Sequence, residues 1–335
     1  MPRLVRKLVL PVLVAASVGG VVAGCASLDQ WERRAIFQND AALRIDGRDA
    51  PDGVTEFDLA VPGGGVTGAD KVHAWYLPAQ QPDAPTVLYL HGARHNLYGN
   101  VSRIERLADL GYNVLAVDYR GFGRSTPILP SEASAIEDAG VAYAELARRE
   151  PQAARRIVYG YSLGGAVAIA LAGEIDRGGD GVAGVVVESS FTNIGDLVGT
   201  LRWGWLPFVR MAVTQDFDSE TRIGAVTRPL LFLHGTADSI VPHTMSDRLY
   251  AAARQVPAQY KRIIKIDGAS HRGALAMAAS DYGDALRQFV QLAAASVSTP
   301  ALDSAPRGAR SAGTAAAGTT AALHSAVAGA AQAVH

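Results

Sequence analysis

Short, near-continuous apolar runs recur through the middle of this chain, and each is followed by a segment of helical spacing. "PTVLYLHG" leads to "VSRIERLADLG", "YNVLAVDYRGFG" to "SEASAIEDAGVAYAELARRE", and "RRIVYGYS" to "LGGAVAIALAGEI". "VAGVVVESSF", "RPLLFLHGTAD" and "KRIIKIDGASH" continue the runs, and "VTEFDLAV" with "KVHAWYL" precedes them as an opening pair. A strand covered on both faces loses the alternation of polar and apolar residues, so such runs mark the buried strands of a parallel sheet. Strand, loop and helix repeated this often predict an α/β fold, a mostly parallel, doubly wound sheet of about eight strands with helices on both faces. In such sheets the chemistry gathers in loops beyond the carboxyl ends of the strands.

The ends of the chain read differently. Arg3, Arg6 and Lys7 precede an apolar stretch and then small residues that end at Cys25, "VVAGC", the only cysteine of the 335 residues. That is the layout of an export signal, and the stretch is short for a membrane-spanning helix. Residues 1–24 are therefore expected to be a signal peptide, and the lone thiol of an exported chain calls for a use other than a disulfide. The stretch resembles a lipoprotein lipobox, which implies lipid on Cys25 and a membrane anchor in the bacterial envelope. Residues 25–53 are expected to form a linker. From about residue 296 the chain is rich in Ala, Gly, Ser, Thr and Pro, with too little large apolar surface to offset the entropy of ordering, and disorder is expected over 296–335. With 31 basic and 32 acidic residues the formal net charge is −1, which argues against a nucleic-acid partner.

Gly160-Tyr161-Ser162-Leu163-Gly164 matches G-x-S-x-G and lies between a predicted strand and a predicted helix. A turn that sharp brings residues 160 and 164 together, so both are expected to need glycine. Ser162 would be held out above a helix N-terminus, where negative charge is favoured. A serine hydroxyl needs a base to become a nucleophile. Of the eight histidines, His271 directly follows the last strand, in "IDGASHRG", which suits the chain order Ser…Asp…His. His324 and His335 fall in the tail, His73 in an early strand, His91 and His234 at strand ends as loop braces, and His95 and His243 in loops near the active end. The acid that orients the base is expected at Asp238, in "LFLHGTADSIVP", with Glu188 as runner-up. Asp118 and Asp267 read as structural. The backbone N–H groups of Leu163 and Ala93 are the expected oxyanion donors.

Taken together, "LYLHGARHN", "VLAVDYRGFGRS", "YGYSLGG", "ESSFTN", "LFLHGTADSIVP" and "SH" resemble the α/β-hydrolase superfamily. Within it they are similar to the ABHD13/BEM46 group and the serine aminopeptidase-like domain family. The resemblance implies a hydrolase domain over 54–295 with a short lid at about 192–226. There Trp203, Trp205, Leu206 and Phe208 either line an acyl or aromatic pocket or pack onto the sheet. Ala93 stands where the group often has asparagine, Asn96 keeps the later asparagine of that loop, and Arg94 is available to either the site or a loop ion pair. The implied activity is that of a serine esterase acting on small or lipid esters without metal or organic cofactor. A peptidase, a thioesterase or a non-catalytic envelope lipoprotein is the alternative.

Overall fold

The strands form where the apolar runs place them: β1 (Thr55–Ala60), β2 (Lys71–Leu77), β3 (Thr86–Leu90), β4 (Asn113–Asp118), β5 (Arg156–Tyr161), β6 (Gly184–Glu188), β7 (Leu230–Gly235) and β8 (Lys261–Ile266). They make one eight-stranded sheet in the order β1-β2-β4-β3-β5-β6-β7-β8. β2 runs antiparallel to both its neighbours, and all the pairs from β4 to β8 are parallel. This computed structural model describes residues 26–38, 50–178, 181–200 and 213–297. The expectations for the signal peptide, Cys25, the aromatic residues of 203–208 and the tail beyond 297 lie outside the described residues.

Strand residues alternate between two cores. Val87 and Tyr89 of β3 join Tyr159, Val186 and Leu231 on one face, while Leu88 and Leu90 join Val158, Val187 and Phe232 on the other. Helices α2 (Val101–Asp109) and α8 (Ala279–Val297) cover the first face through Ile104, Leu107, Tyr282, Leu286 and Phe289. Helices α3 (Glu132–Arg149) and α4 (Leu163–Gly178) cover the second through Ala139, Leu146, Val167 and Leu171. Because both faces are packed there, the central strands β3, β6 and β7 are buried at every position. α3 starts as predicted at Ser131, whose hydroxyl accepts the Ser134 N–H while the Ser134 hydroxyl accepts the Ser131 N–H, a reciprocal cap. α8 runs two residues past the expected domain end, with Ser296 buried and donating to the Ala293 carbonyl at 2.7 Å.

The expected linker is not one over residues 26–37. They form a helix, α1, tied to the domain at three places. Phe37 is fully buried, with ring centroids 6.4 Å from Phe122 and 5.9 Å from Phe217. The Glu32 carboxylate accepts the Thr214 N–H at 2.9 Å and the Gln215 N–H at 3.1 Å. Arg33 donates to the Pro130 carbonyl at 2.7 Å and to that of Leu129. The partners lie between 85 and 190 residues along the chain, where no local pattern in the sequence could announce them.

Within the expected lid, α5 (Ile194–Gly199) and α6 (Ser219–Ile223) flank the span 201–212, and α7 (Thr244–Ala252) follows β7. Among the described residues no helix is long and apolar enough to cross a membrane.

Candidate active site

Strand order reverses where β3 lies between β4 and β5, and the crevice beyond the carboxyl ends there is the place where an open sheet leaves room for a ligand. Ser162 follows β5 and Ala93 follows β3, so both stand at that crevice. Ser162 has φ of +53°, a left-handed conformation that a non-glycine residue adopts only when its surroundings hold it there. Its N–H donates to the Glu188 carbonyl at 2.8 Å, and its carbonyl accepts the Gly165 N–H at 2.9 Å. A Cβ on Gly160 would lie 2.2 Å from the Gly164 carbonyl oxygen, and one on Gly164 2.0 Å from that of Leu90. Neither glycine has room for a side chain: Gly160 for the reason given by the sequence, Gly164 because the backbone of β3 passes beside it.

His271 and Asp238 come to the same place from the loops after β8 and β7. The Ser162 hydroxyl donates to His271 Nε2 at 3.0 Å, and His271 Nδ1–H donates to Asp238 Oδ2 at 2.7 Å. Asp238 is buried. Burial alone would raise its pKa, but hydrogen bonds from His234, His271 and Val241 outweigh it and hold the carboxyl well below the usual carboxylate range. Oδ1 accepts the N–H groups of Ile240 and Val241, both at 2.9 Å. His234 Nε2–H reaches Oδ2 at 3.1 Å and the Val241 carbonyl at 2.9 Å, while His234 Nδ1 accepts the Ser246 hydroxyl at 2.5 Å. An ionised acid with four donors stays ionised, and so holds the imidazole with Nδ1 protonated and Nε2 free to take a proton from the serine.

The oxyanion candidates also fall beside the serine. Leu163 is the first residue of α4, whose N-terminal end carries partial positive charge. The loop of Ala93 passes so close that a Cβ on Gly92 would be 3.2 Å from Ser162 Cβ. Leu163, Ala93, Ser162 and His271 line one cavity of about 1050 Å³. Its further walls are largely apolar, from α1, Phe191, Ile194, Leu197, Val213, Ile240 and Leu275.

This fold and site have known relatives. The family model described as "Serine aminopeptidase, S33" matches residues 81–215. An uncharacterized protein of Mycobacterium tuberculosis is 34% identical over 222 residues, 66% of this chain and 75% of that protein. An α/β hydrolase from Vibrio vulnificus superposes with a TM-score of 0.62 at 18% identity, covering 79% of this chain and 93% of its own. An esterase of Pyrococcus furiosus does so with a TM-score of 0.58 at 19% identity, covering 74% and 95%. The chain belongs to the α/β-hydrolase superfamily.

The runner-up acid does something else in this hydrolase. Glu188, fully buried at the end of β6, pairs with Arg103 of α2 at 3.0 Å and accepts the Tyr159 hydroxyl at 2.9 Å. Its Oε1 also accepts the Ala274 N–H at 3.1 Å, and Arg103 donates to the Arg272 carbonyl at 3.4 Å. The guanidinium lies 3.7 Å from the ring centroid of Tyr161, whose hydroxyl donates to the His271 carbonyl at 3.3 Å. Burial pushes the Tyr161 phenol up to about 12, which keeps it a donor. The Arg103–Glu188 ion pair thus clamps the loop that carries His271 just after the histidine. Nothing in "VSRIERLAD" marks Arg103 out; its role exists only once α2 is laid over β6.

Other expectations sort by position. His73 bridges to Asp58 and Glu56 of β1 at 2.9 and 3.1 Å, within the sheet. His91 donates from its ring to the Gly92 carbonyl at 2.7 Å, consistent with a brace. Asp118 accepts the Leu97 N–H on its carboxylate at 2.8 Å and the Ser125 hydroxyl on its carbonyl at 2.6 Å, and so secures both the loop after β3 and its own. Asn96 caps the turn at Leu97–Asn100, and Arg94 and His95 line the cavity. His243 is not among the cavity residues; its carbonyl accepts Lys265 Nζ at 2.5 Å. Asp267 accepts the Thr236 hydroxyl at 3.2 Å, a loop contact. No group of three or more potential metal-ligating residues stands together among the described residues.

Proposed function

We propose that this hydrolase is a serine carboxylesterase working through an acyl-enzyme, exported and held at a membrane of the bacterial envelope by lipid on Cys25. The reading rests on one observation: Ser162, His271 and Asp238 form an unbroken hydrogen-bonded series that opens into an apolar cavity. Ser162 Oγ attacks the ester carbonyl carbon as His271 Nε2 takes its proton. The negative charge that develops on the carbonyl oxygen falls to the N–H groups of Leu163 and Ala93. Collapse of the intermediate expels the alcohol, protonated by His271, and leaves the acyl group on Ser162. Water, activated by the same imidazole, then releases the acid. Asp238 keeps the tautomer and stabilises the imidazolium.

Thioesters and peptides are open to the same machinery, but the cavity disfavours substrates with a free amino terminus. Among the described residues Glu32 is the one carboxylate lining it, and both its oxygens already accept backbone N–H groups. Arg94 and Arg272 give the lining the opposite sign. An α-ammonium would enter without a counter-ion, whereas a neutral or anionic ester would not.

The test is turnover of p-nitrophenyl esters from acetate to palmitate by wild type and Ser162→Ala, with fluorophosphonate labelling of each. The wild type should turn over esters and label, and Ser162→Ala should lose roughly 10³-fold or more in turnover and all labelling. Equal turnover by the two proteins sinks the site. Labelling of the wild type without turnover of any ester would move the reading to thioesters or peptides.

A further inference from the structure

Five large apolar side chains stand exposed among the described residues: Leu28, Trp31, Val66, Ile240 and Leu292. Scattered one by one they would need no account. Three of them, Leu28, Trp31 and Ile240, instead share the lining of the cavity that holds Ser162. On α1 the residues at 28, 31, 35 and 36 follow helical spacing along one face, and all four line that cavity. The protein covers the carboxyl end of this stripe: Ile36 packs against the core and Phe37 is fully buried. It leaves the amino end bare, with Leu28 41% and Trp31 68% exposed. Ile240, from the loop after β7, lines the same cavity and is 41% exposed. Arg94 and Arg272, both exposed, line the same cavity.

We propose that the mouth of this cavity rests on a lipid bilayer. Leu28, Trp31 and Ile240 insert among the acyl chains, and Arg94 and Arg272 lie at the level of anionic headgroups. An apolar rim around an opening fits a fluid surface better than a protein partner, since a rigid partner seated there would close the way to Ser162. Trp suits this position because its ring is amphipathic and settles at the boundary of apolar and wet layers. The position of the chain's single cysteine agrees. Leu28 is the third residue after Cys25, and three residue steps of any conformation reach at most about 11 Å. Acyl chains on Cys25 would therefore hold this rim, and no other face, against the membrane. One acyl chain gives only marginal membrane binding, and an apolar and basic rim supplies a second contact of the kind that stable anchoring needs. The inference goes beyond the esterase reading and does not need it, because the binding involves no turnover.

Residues 26–335, which hold every described element and carry no acylated cysteine, are the protein to test. Their partition onto sedimentable vesicles of phosphatidylcholine with phosphatidylglycerol is compared with that of Leu28→Ser/Trp31→Ser/Ile240→Ser. The unsubstituted protein should co-sediment with the vesicles, and the triple variant should partition at least tenfold less, about 1.4 kcal/mol. Trp31→Lys, at the most exposed of the three positions, should move in the same direction with an unchanged melting curve, which separates loss of binding from loss of fold. Equal partition of all three proteins overturns the proposal, as does failure of the unsubstituted protein to bind. A dimer in sedimentation velocity that the triple variant converts to monomer, with no vesicle binding, would assign the rim to a second copy and also overturn it.

Discussion

Replacing Arg103 by methionine keeps most of the side-chain volume and removes one charge from the pair beneath His271. Glu188 would then be a carboxylate with no exposure and no counter-ion, left with two neutral donors, the Tyr159 hydroxyl and the Ala274 N–H. Breaking a buried pair from one side costs about 3–5 kcal/mol, because the remaining charge stays desolvated. Against a total stability of about 5–15 kcal/mol that is a large fraction. For a domain of this size it corresponds to a fall in Tm of about 6–20 °C. Adding Glu188→Gln removes the stranded charge, so the double variant should regain at least half of the loss. Activity should fall as well, since Arg103 also holds the Arg272 carbonyl and Glu188 the Ala274 N–H, on the loop that presents His271. A shift of about 1 Å there would lower kcat/KM about 10²-fold. Urea denaturation of wild type, single and double variants, with p-nitrophenyl acetate turnover on each, measures both effects. The reasoning fails if Arg103→Met lies within about 1 kcal/mol of wild type, or if Glu188→Gln adds a further loss instead of a recovery.

Three further outcomes are expected. Asp238 is held well below its unfolded value of about 3.9, so the stability it contributes is present above that pH and lost progressively as the pH falls from there toward the lower folded value. The stability gap between wild type and Asp238→Asn should accordingly narrow progressively as the pH falls below about 5 in denaturant titrations, and a constant gap would contradict the assignment. Gly160→Ala places a methyl 2.2 Å from the Gly164 carbonyl, so the elbow must open; fluorophosphonate labelling of Ser162 should slow at least tenfold even where the fold survives, and an unchanged labelling rate would show the turn to be looser than described. Cys25→Ser in the full chain, expressed in a lipoprotein-processing host, should abolish incorporation of a labelled fatty acid, and continued incorporation would rule out Cys25 as the lipid site.

Much of this protein was legible from its linear order. The central strands lie where apolar runs end at turn residues, because a strand packed on both faces leaves little room for a polar side chain. The elbow was legible because its constraint at Gly160 is local, a Cβ there meeting the backbone of Gly164 four residues along, whereas the constraint on Gly164 comes from Leu90 of β3. Ser162, Asp238 and His271 could be picked out because each follows a strand end, and parallel strands deliver all their carboxyl ends to one edge of the sheet. What tertiary structure alone decided lies between residues far apart in the chain. The exchange of β3 and β4 in the sheet order, the pairing of Arg103 with Glu188, the second histidine on Asp238, and the docking of α1 against Pro130, Thr214 and Phe217 leave no periodic trace. Periodicity records which face of an element is covered, never what covers it. Residues 26–37 carry a helical pattern that a linker would not need, but only the folded domain shows that half the stripe is buried and the other half faces out beside Ser162.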